Sequence, residues 1–163
     1  MPKVAVIMGS DSDFPLMKKC IAVLKEFDIA YDVRIISAHR TPEIAHDFSK
    51  NATKEGYEAI IAAAGKAAHL AGVIASMTVI PVIGVPVKSS TMDGLDSLLS
   101  TVQMPKGIPV ATVAIDGAEN AALLAVQILG IKYPDLMQKM LDYKKRLAEE
   151  VIEKDKKIQE EVL

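Results

Sequence analysis

Short apolar runs alternate with stretches of helical period along most of this chain. The runs are Val4-Ala5-Val6-Ile7-Met8, Tyr31 to Ile36, Ala59-Ile60-Ile61-Ala62-Ala63, Val79 to Val85 and Val110 to Ile115. Runs of this length, bounded by Gly, Pro and polar clusters, predict strands covered on both faces. Tyr31 to Ile36 is read in the same way, as a buried strand. Between the runs, Pro15 with Leu16, Cys20, Val23, Leu24 and Phe27 sets a helical period. A second helix of about 13 residues is predicted from Pro42 to Lys54 or Glu55, with Thr41 as its N-cap. Leu70 to Met77, Gly94 to Val102 and Asn120 to Leu129 read as further helices. Pro134 to Val162 is one long helical pattern with a partial apolar stripe that includes Leu136, Met140, Leu147, Val151 and Ile158. A helix of that kind packs over its own domain or against another subunit.

Strands and helices in alternation predict an α/β fold. The expected form is a three-layer, doubly wound, five-stranded parallel sheet, flavodoxin-like in its strand order 2-1-3-4-5, with a long C-terminal helix. Residues 1–163 read as a single domain, with a core over 1–130 and a helical extension over 134–162. Three Phe, four Tyr and no Trp leave the core to Val, Ile, Leu, Ala and Met. A net charge of −2 offers no basic face to nucleic acid or to an anionic membrane. No apolar run is long enough to span a bilayer. Strand-like residues begin at Lys3, so no leader segment is expected. Cys20 is the one cysteine, which excludes an internal disulfide and fits a reducing, cytoplasmic setting. Its place in a helix makes it a small core residue.

In the expected topology three polar loops meet at the carboxyl ends of the strands, where open α/β sheets bind ligands. The first is Gly9-Ser10-Asp11-Ser12-Asp13. Hydroxyls and backbone N–H groups beside a helix N-terminus suit a phosphate, and Asp13 suits ribose hydroxyls. A merely capped helix, with Ser12 or Asp13 as the cap, explains the same residues. The second loop is Ser37-Ala38-His39-Arg40-Thr41-Pro42. Arg40 can grip a phosphate through two parallel hydrogen bonds, and His39 can move a proton near neutral pH. A polar surface turn with an incidental histidine is the alternative. The third is Ala64-Gly65-Lys66-Ala67-Ala68-His69, whose small residues let a flat ligand approach the backbone. His69 is either part of that site or a hydrogen-bonded structural residue. His46, inside the second helix, reads as a surface residue.

Several familiar sites are missing from the sequence. Neither G-x-x-x-x-G-K-[ST] nor G-x-G-x-x-G follows the first strand, which argues against nucleoside triphosphates and dinucleotides. No His/Cys cluster has metal-ligand spacing. A phospho-receiver would end its third strand on an aspartate, where this chain has Ala62-Ala63-Ala64. A flavodoxin would offer aromatic platforms to its flavin, and Trp is absent.

Taken in order, Met8-Gly-Ser-Asp-Ser-Asp13, Ser37-Ala-His-Arg-Thr-Pro42, Ala67-Ala-His-Leu70, Gly84-Val-Pro86, Gly94-Leu-Asp-Ser-Leu98, Val102-Gln-Met-Pro105, Gly107-Ile-Pro-Val110 and Asn120-Ala-Ala-Leu-Leu124 resemble the class I N5-carboxyaminoimidazole ribonucleotide mutases of bacterial purine biosynthesis. The matching segments span residues 4 to 130. The resemblance implies an isomerase that moves a carboxyl group from N5 to C4 of an aminoimidazole ribonucleotide. It implies a homo-octamer and neither cofactor nor metal. It makes His39 the catalytic proton carrier, Ser10 and Arg40 phosphate binders, and Asp13 the ribose binder. Ser12 belongs to the same first loop, and Ser37, Ala38, Ala68 and His69 border the aminoimidazole and its carboxylate. The Arg40-Thr41-Pro42 ending resembles class I rather than the animal-type carboxylase.

The third loop departs from the family pattern A-G-A-G-G-A-A-H-L-P-G-M. Ala63, Lys66 and Ala71 stand for Gly, Gly and Pro, and Val73 stands for Met. Lys66 puts a long cation where the family keeps bare backbone. Three readings follow from the sequence: an active mutase, an animal-type carboxylase, and a ribonucleotide-binding relative whose catalysis Lys66 impairs.

Overall fold

Strand one alternates its side chains between two cores, and the whole architecture follows from that alternation. In the computed structural model, which describes residues 1–162, β1 (Lys3–Met8) turns Val4, Val6 and Met8 to one face of the sheet. Ala5 and Ile7 go to the other. Period two is what a pleated strand dictates. The full sheet comprises β1, β2 (Ala30–Ile35), β3 (Ala59–Gly65), β4 (Val82–Val87) and β5 (Ala111–Thr112). All pairings are parallel, in the order 2-1-3-4-5 expected from the sequence.

The first face is covered by α1 (Phe14–Glu26) and α5 (Ala118–Gly130). Met17, Cys20 and Leu24 meet Ala121, Ala122, Ala125 and Val126 there, and the alanines let the two helices and the sheet approach closely. Cys20 is fully buried, as its helical position predicted, and burial pushes its thiol up to about 12. The second face is covered by α2 (Pro42–Asn51) and α3 (Leu70–Ala75), through Ala45, Phe48, Leu70, Ala71 and Ile74. The helix α4 (Leu95–Val102) closes onto β4 at Gly84, where a Cβ would overlap the Thr101 methyl. The long helix α6 (Pro134–Val162) starts against α5 through buried Leu136 and Met140. No helix of the described residues is long and apolar enough to cross a membrane.

The structure departs from the expected elements in five places. β2 is not a buried strand: it is a sheet edge, with Val33 36% and Ile35 58% exposed. Asp32 and Arg34 interrupt the run, as suits an edge strand open to solvent. β4 begins at Val82 rather than Val79, which lies 94% exposed ahead of Pro81. β5 is reduced to a two-residue ladder, as a short edge strand commonly is. The second helix stops at Asn51, because the turn to Gly56, with φ +81°, takes over the following backbone. Thr41 occupies the N-cap position of α2 without capping it. Its hydroxyl is spent inside the preceding turn, where it accepts the Ser37 N–H at 3.0 Å and donates to the Ser37 carbonyl at 2.9 Å.

Candidate active site

The parallel ladder aligns the carboxyl ends of β1, β2, β3 and β4, and the loops that follow them line one cleft of about 620 Å³. That size is within the range of small-molecule sites. Backbone bonds hold the loops in register: Gly9 N–H donates to the Ala63 carbonyl at 3.1 Å, and Ile36 N–H to the Met8 carbonyl at 2.9 Å.

The loop after β1 forms a single 3-10 turn at Asp11–Asp13. Ser10 caps it, its hydroxyl accepting the Ser12 N–H at 3.3 Å and the Ser12 hydroxyl at 3.0 Å. Asp13 is only 7% exposed yet borders the cleft. Burial raises its carboxyl above the ordinary range, against hydrogen bonds from Ser10 and Ser12. A carboxylate so poor in water gains from any hydroxyl donor that a ligand brings.

The loop after β2 is stapled by the Ser37–Thr41 pair described above, and the Ser37 hydroxyl also accepts the Arg40 N–H at 3.1 Å. The staple leaves His39 and Arg40 at the rim. Arg40 donates to the Gly9 carbonyl at 3.2 Å and to the Ser37 hydroxyl at 3.4 Å. Those two bonds set the guanidinium between the first two loops. Its other N–H groups remain for an anion, since a guanidinium carries five donors.

The loop after β3 is held from below. Ser97, buried in α4, accepts the Lys66 N–H at 3.0 Å. Lys66 sits at φ +42°, in the left-handed region that favours glycine, and its residue borders the cleft. His69 occupies the N-cap position of α3, but its ring does not cap. It meets His39 instead: His39 Nε2 and His69 Nδ1 are 2.9 Å apart, with the rings at 81°. Ala68 is 1% exposed and lies behind the cleft wall, its carbonyl 3.4 Å from the Thr101 hydroxyl.

Of the residues singled out in the sequence, Ser10, Ser12, Asp13, Ser37, Ala38, His39 and Arg40 line the cleft, and His69 joins them through His39. His46 is exposed on α2, away from it. Sequence reasoning passed over Val87, Lys88 and Ser89, which form a fourth wall. Their position at the carboxyl end of a strand was the available signal. Lys88 is held by the Asp116 carboxylate, which accepts its N–H at 2.8 Å, and its ammonium pairs with Asp93 at 2.8 Å. Among the described residues no three His, Cys, Asp or Glu side chains form a group that could hold a metal.

An open parallel sheet with guanidinium and hydroxyl donors, a buried carboxylate and two imidazoles at the carboxyl ends of its strands has the make-up of a small-molecule site. The AIR carboxylase family model matches residues 3–150, and the chain belongs to that family. It is 60% identical over 159 residues to the N5-carboxyaminoimidazole ribonucleotide mutase of Pyrococcus horikoshii, covering 98% of this chain and 90% of that protein. It is 57% identical over 160 residues to the enzyme of the same name from Thermotoga maritima, covering 98% and 94%. The crystal structure of Treponema denticola PurE superposes with a TM-score of 0.89 at 32% identity, over 96% of this chain and 98% of that one.

Proposed function

We propose that this chain is an N5-carboxyaminoimidazole ribonucleotide mutase, an isomerase of purine biosynthesis that yields 4-carboxy-5-aminoimidazole ribonucleotide. The observation that carries the reading is the placement of His39 beside His69, at the rim of a cleft whose other walls bear Arg40, Ser10 and Asp13. In this reading Arg40 and the Ser10 loop hold the phosphate and Asp13 the ribose, so the imidazole extends toward the histidines. The N5–carboxyl bond breaks and carbon dioxide forms. His39 delivers a proton to the departing nitrogen. C4 then attacks the trapped carbon dioxide, and His39 takes the C4 proton. One group that gives and then regains a proton leaves the protein unchanged, as an isomerisation requires. Carbon dioxide must be kept from solvent between the two steps. Ser37, Ala38 and His69 border the ring; Ala68 supports that wall from behind.

The animal-type carboxylase is not favoured, given the mutase names of the relatives and the Arg40-Thr41-Pro42 ending. A homo-octamer and a cytoplasmic location belong to the same proposal, and light scattering that reports a monomer at micromolar concentration would refute the octamer. The activity is tested by supplying N5-carboxyaminoimidazole ribonucleotide and, separately, aminoimidazole ribonucleotide with bicarbonate. Product from the first at low bicarbonate supports the mutase. Product from the second alone overturns it.

A further inference from the structure

Lys88 stands on the cleft wall that follows β4, and its two ends are held differently. Its N–H donates to the Asp116 carboxylate at 2.8 Å. Its Cα abuts Gly94, where a Cβ would come within 3.2 Å of it. The backbone of Lys88 is therefore fixed at the edge of the cleft. The ammonium instead meets Asp93 at 2.8 Å, in a pair whose side chains are 56% and 81% exposed. Exposed ion pairs of this kind contribute little, because water and salt screen them and the side chains lose freedom. An anion placed in the cleft can take the ammonium from Asp93 at small cost.

Strained backbone presents Asp93 to the lysine. Met92 and Asp93 lie at φ +49° and +56°, followed by Gly94 at +93°. Left-handed backbone is unfavourable for residues with a Cβ, and Asp tolerates it better than most. Such residues persist where surrounding bonds impose them, and they gather at ligand clamps and switch regions. Here the bonds come from Ser89. Its hydroxyl accepts the Thr91 N–H at 3.2 Å and donates to the Asp96 carboxylate at 3.1 Å. They close residues 88–94 into a loop that brings Asp93 back over Lys88.

The cleft has an anion end already. Arg40 and the Ser10 loop follow β2 and β1, whereas Lys88 follows β4, on the far side of β3. Three strand spacings, about 14 Å, separate β2 from β4. One phosphate cannot meet both ends. The inference rests on the mutase reading, in which the ligand carries a second anion, the carboxylate on its imidazole, away from the phosphate. We propose that Lys88 recognises that carboxylate, its ammonium exchanging Asp93 for the ligand when the cleft fills. Asp93 competes for the same cation and so sets the affinity.

The test is titration calorimetry of the full chain with 4-carboxy-5-aminoimidazole ribonucleotide and with 5-aminoimidazole ribonucleotide. The two share phosphate and ribose and differ by the carboxylate. Lys88→Met keeps an unbranched stem and removes the charge. It should weaken the carboxylated ligand about ten-fold, the low end for a hydrogen bond to a charged group, and leave the other ligand unchanged. Asp93→Asn removes the competing charge and still tolerates left-handed backbone. It should tighten the carboxylated ligand about two- to five-fold, in line with the small worth of an exposed pair. Both variants break the same ion pair, so opposite signs separate recognition from mere support of the loop. An equal or absent response of the two ligands to Lys88→Met, or a loss in Asp93→Asn as well, overturns the proposal and leaves the mutase reading standing. A parent that binds neither ribonucleotide overturns that reading, and the proposal with it.

Discussion

His39 Nε2 lies 2.9 Å from His69 Nδ1, across 30 residues of sequence. One ring nitrogen donates and the other accepts, and the tautomers decide which. The contact exists because the Ser37–Thr41 staple presents His39 at the end of β2 while the N-cap position of α3 presents His69.

His39→Asn is expected to keep the fold and ribonucleotide binding while turnover falls by about 10²- to 10⁴-fold, the usual contribution of a general acid–base group. Asparagine preserves a hydrogen-bonding shape but exchanges no proton at neutral pH. Turnover above half that of the parent would remove His39 from the mechanism.

Arg40→Ala should weaken the nucleotide far more than the corresponding nucleoside. Hydrogen bonds to charged groups contribute about 1.5–3 kcal/mol each, or roughly 10- to 100-fold in affinity. Titration calorimetry with both ligands decides the matter. Equal losses would place the guanidinium away from the phosphate.

Lys66→Gly tests the departure in the third loop. A left-handed non-glycine residue costs about 1–2 kcal/mol, while glycine gives back about 0.4–1 kcal/mol through the unfolded chain. The balance favours the glycine variant slightly, so its melting temperature should not fall. Turnover should rise at least several-fold, because a lysine bordering the cleft brings a positive charge that favours the bound carboxylate over its departure as carbon dioxide. An unchanged rate would make Lys66 a tolerated substitution.

Asp13 gives a pH-dependent stability with a definite sign. Its folded carboxyl lies above the reference 3.8 because burial disfavours the charge. The fold therefore holds that proton more tightly than the unfolded chain does. Stability from this group is full below about 3.8 and declines as pH rises through the raised value. Asp13→Asn should melt higher than the parent at pH 7, and the gap should close toward pH 4. The same variant should bind ribonucleotide less well. A variant less stable at pH 7 than the parent would mean that the carboxylate is a structural partner.

Much of the site was legible because it is written in contiguous segments. Ser10 to Asp13 and Ser37 to Pro42 each follow an apolar run, and the alternation of runs with helices implies that their loops share one edge. The fourth wall was missed because Val87, Lys88 and Ser89 have no motif of their own; only the strand end before them gives them a place. β2 departs from the buried strand expected because Tyr31 to Ile36 is not a continuous apolar run: Asp32 and Arg34 interrupt it, as in a strand that meets solvent at a sheet edge.

The sequence by itself determined the alternation of strands with helices, from which a doubly wound parallel sheet was expected, and which loops carry chemistry. Those properties rest on local periodicity and chain connectivity. Only the tertiary structure decided that His39 meets His69, that Arg40 reaches the Gly9 carbonyl, that Ser97 holds Lys66 and that Asp13 is dry. Contacts between loops far apart in the chain depend on how the sheet twists and the helices pack, and no local pattern encodes a distance between them.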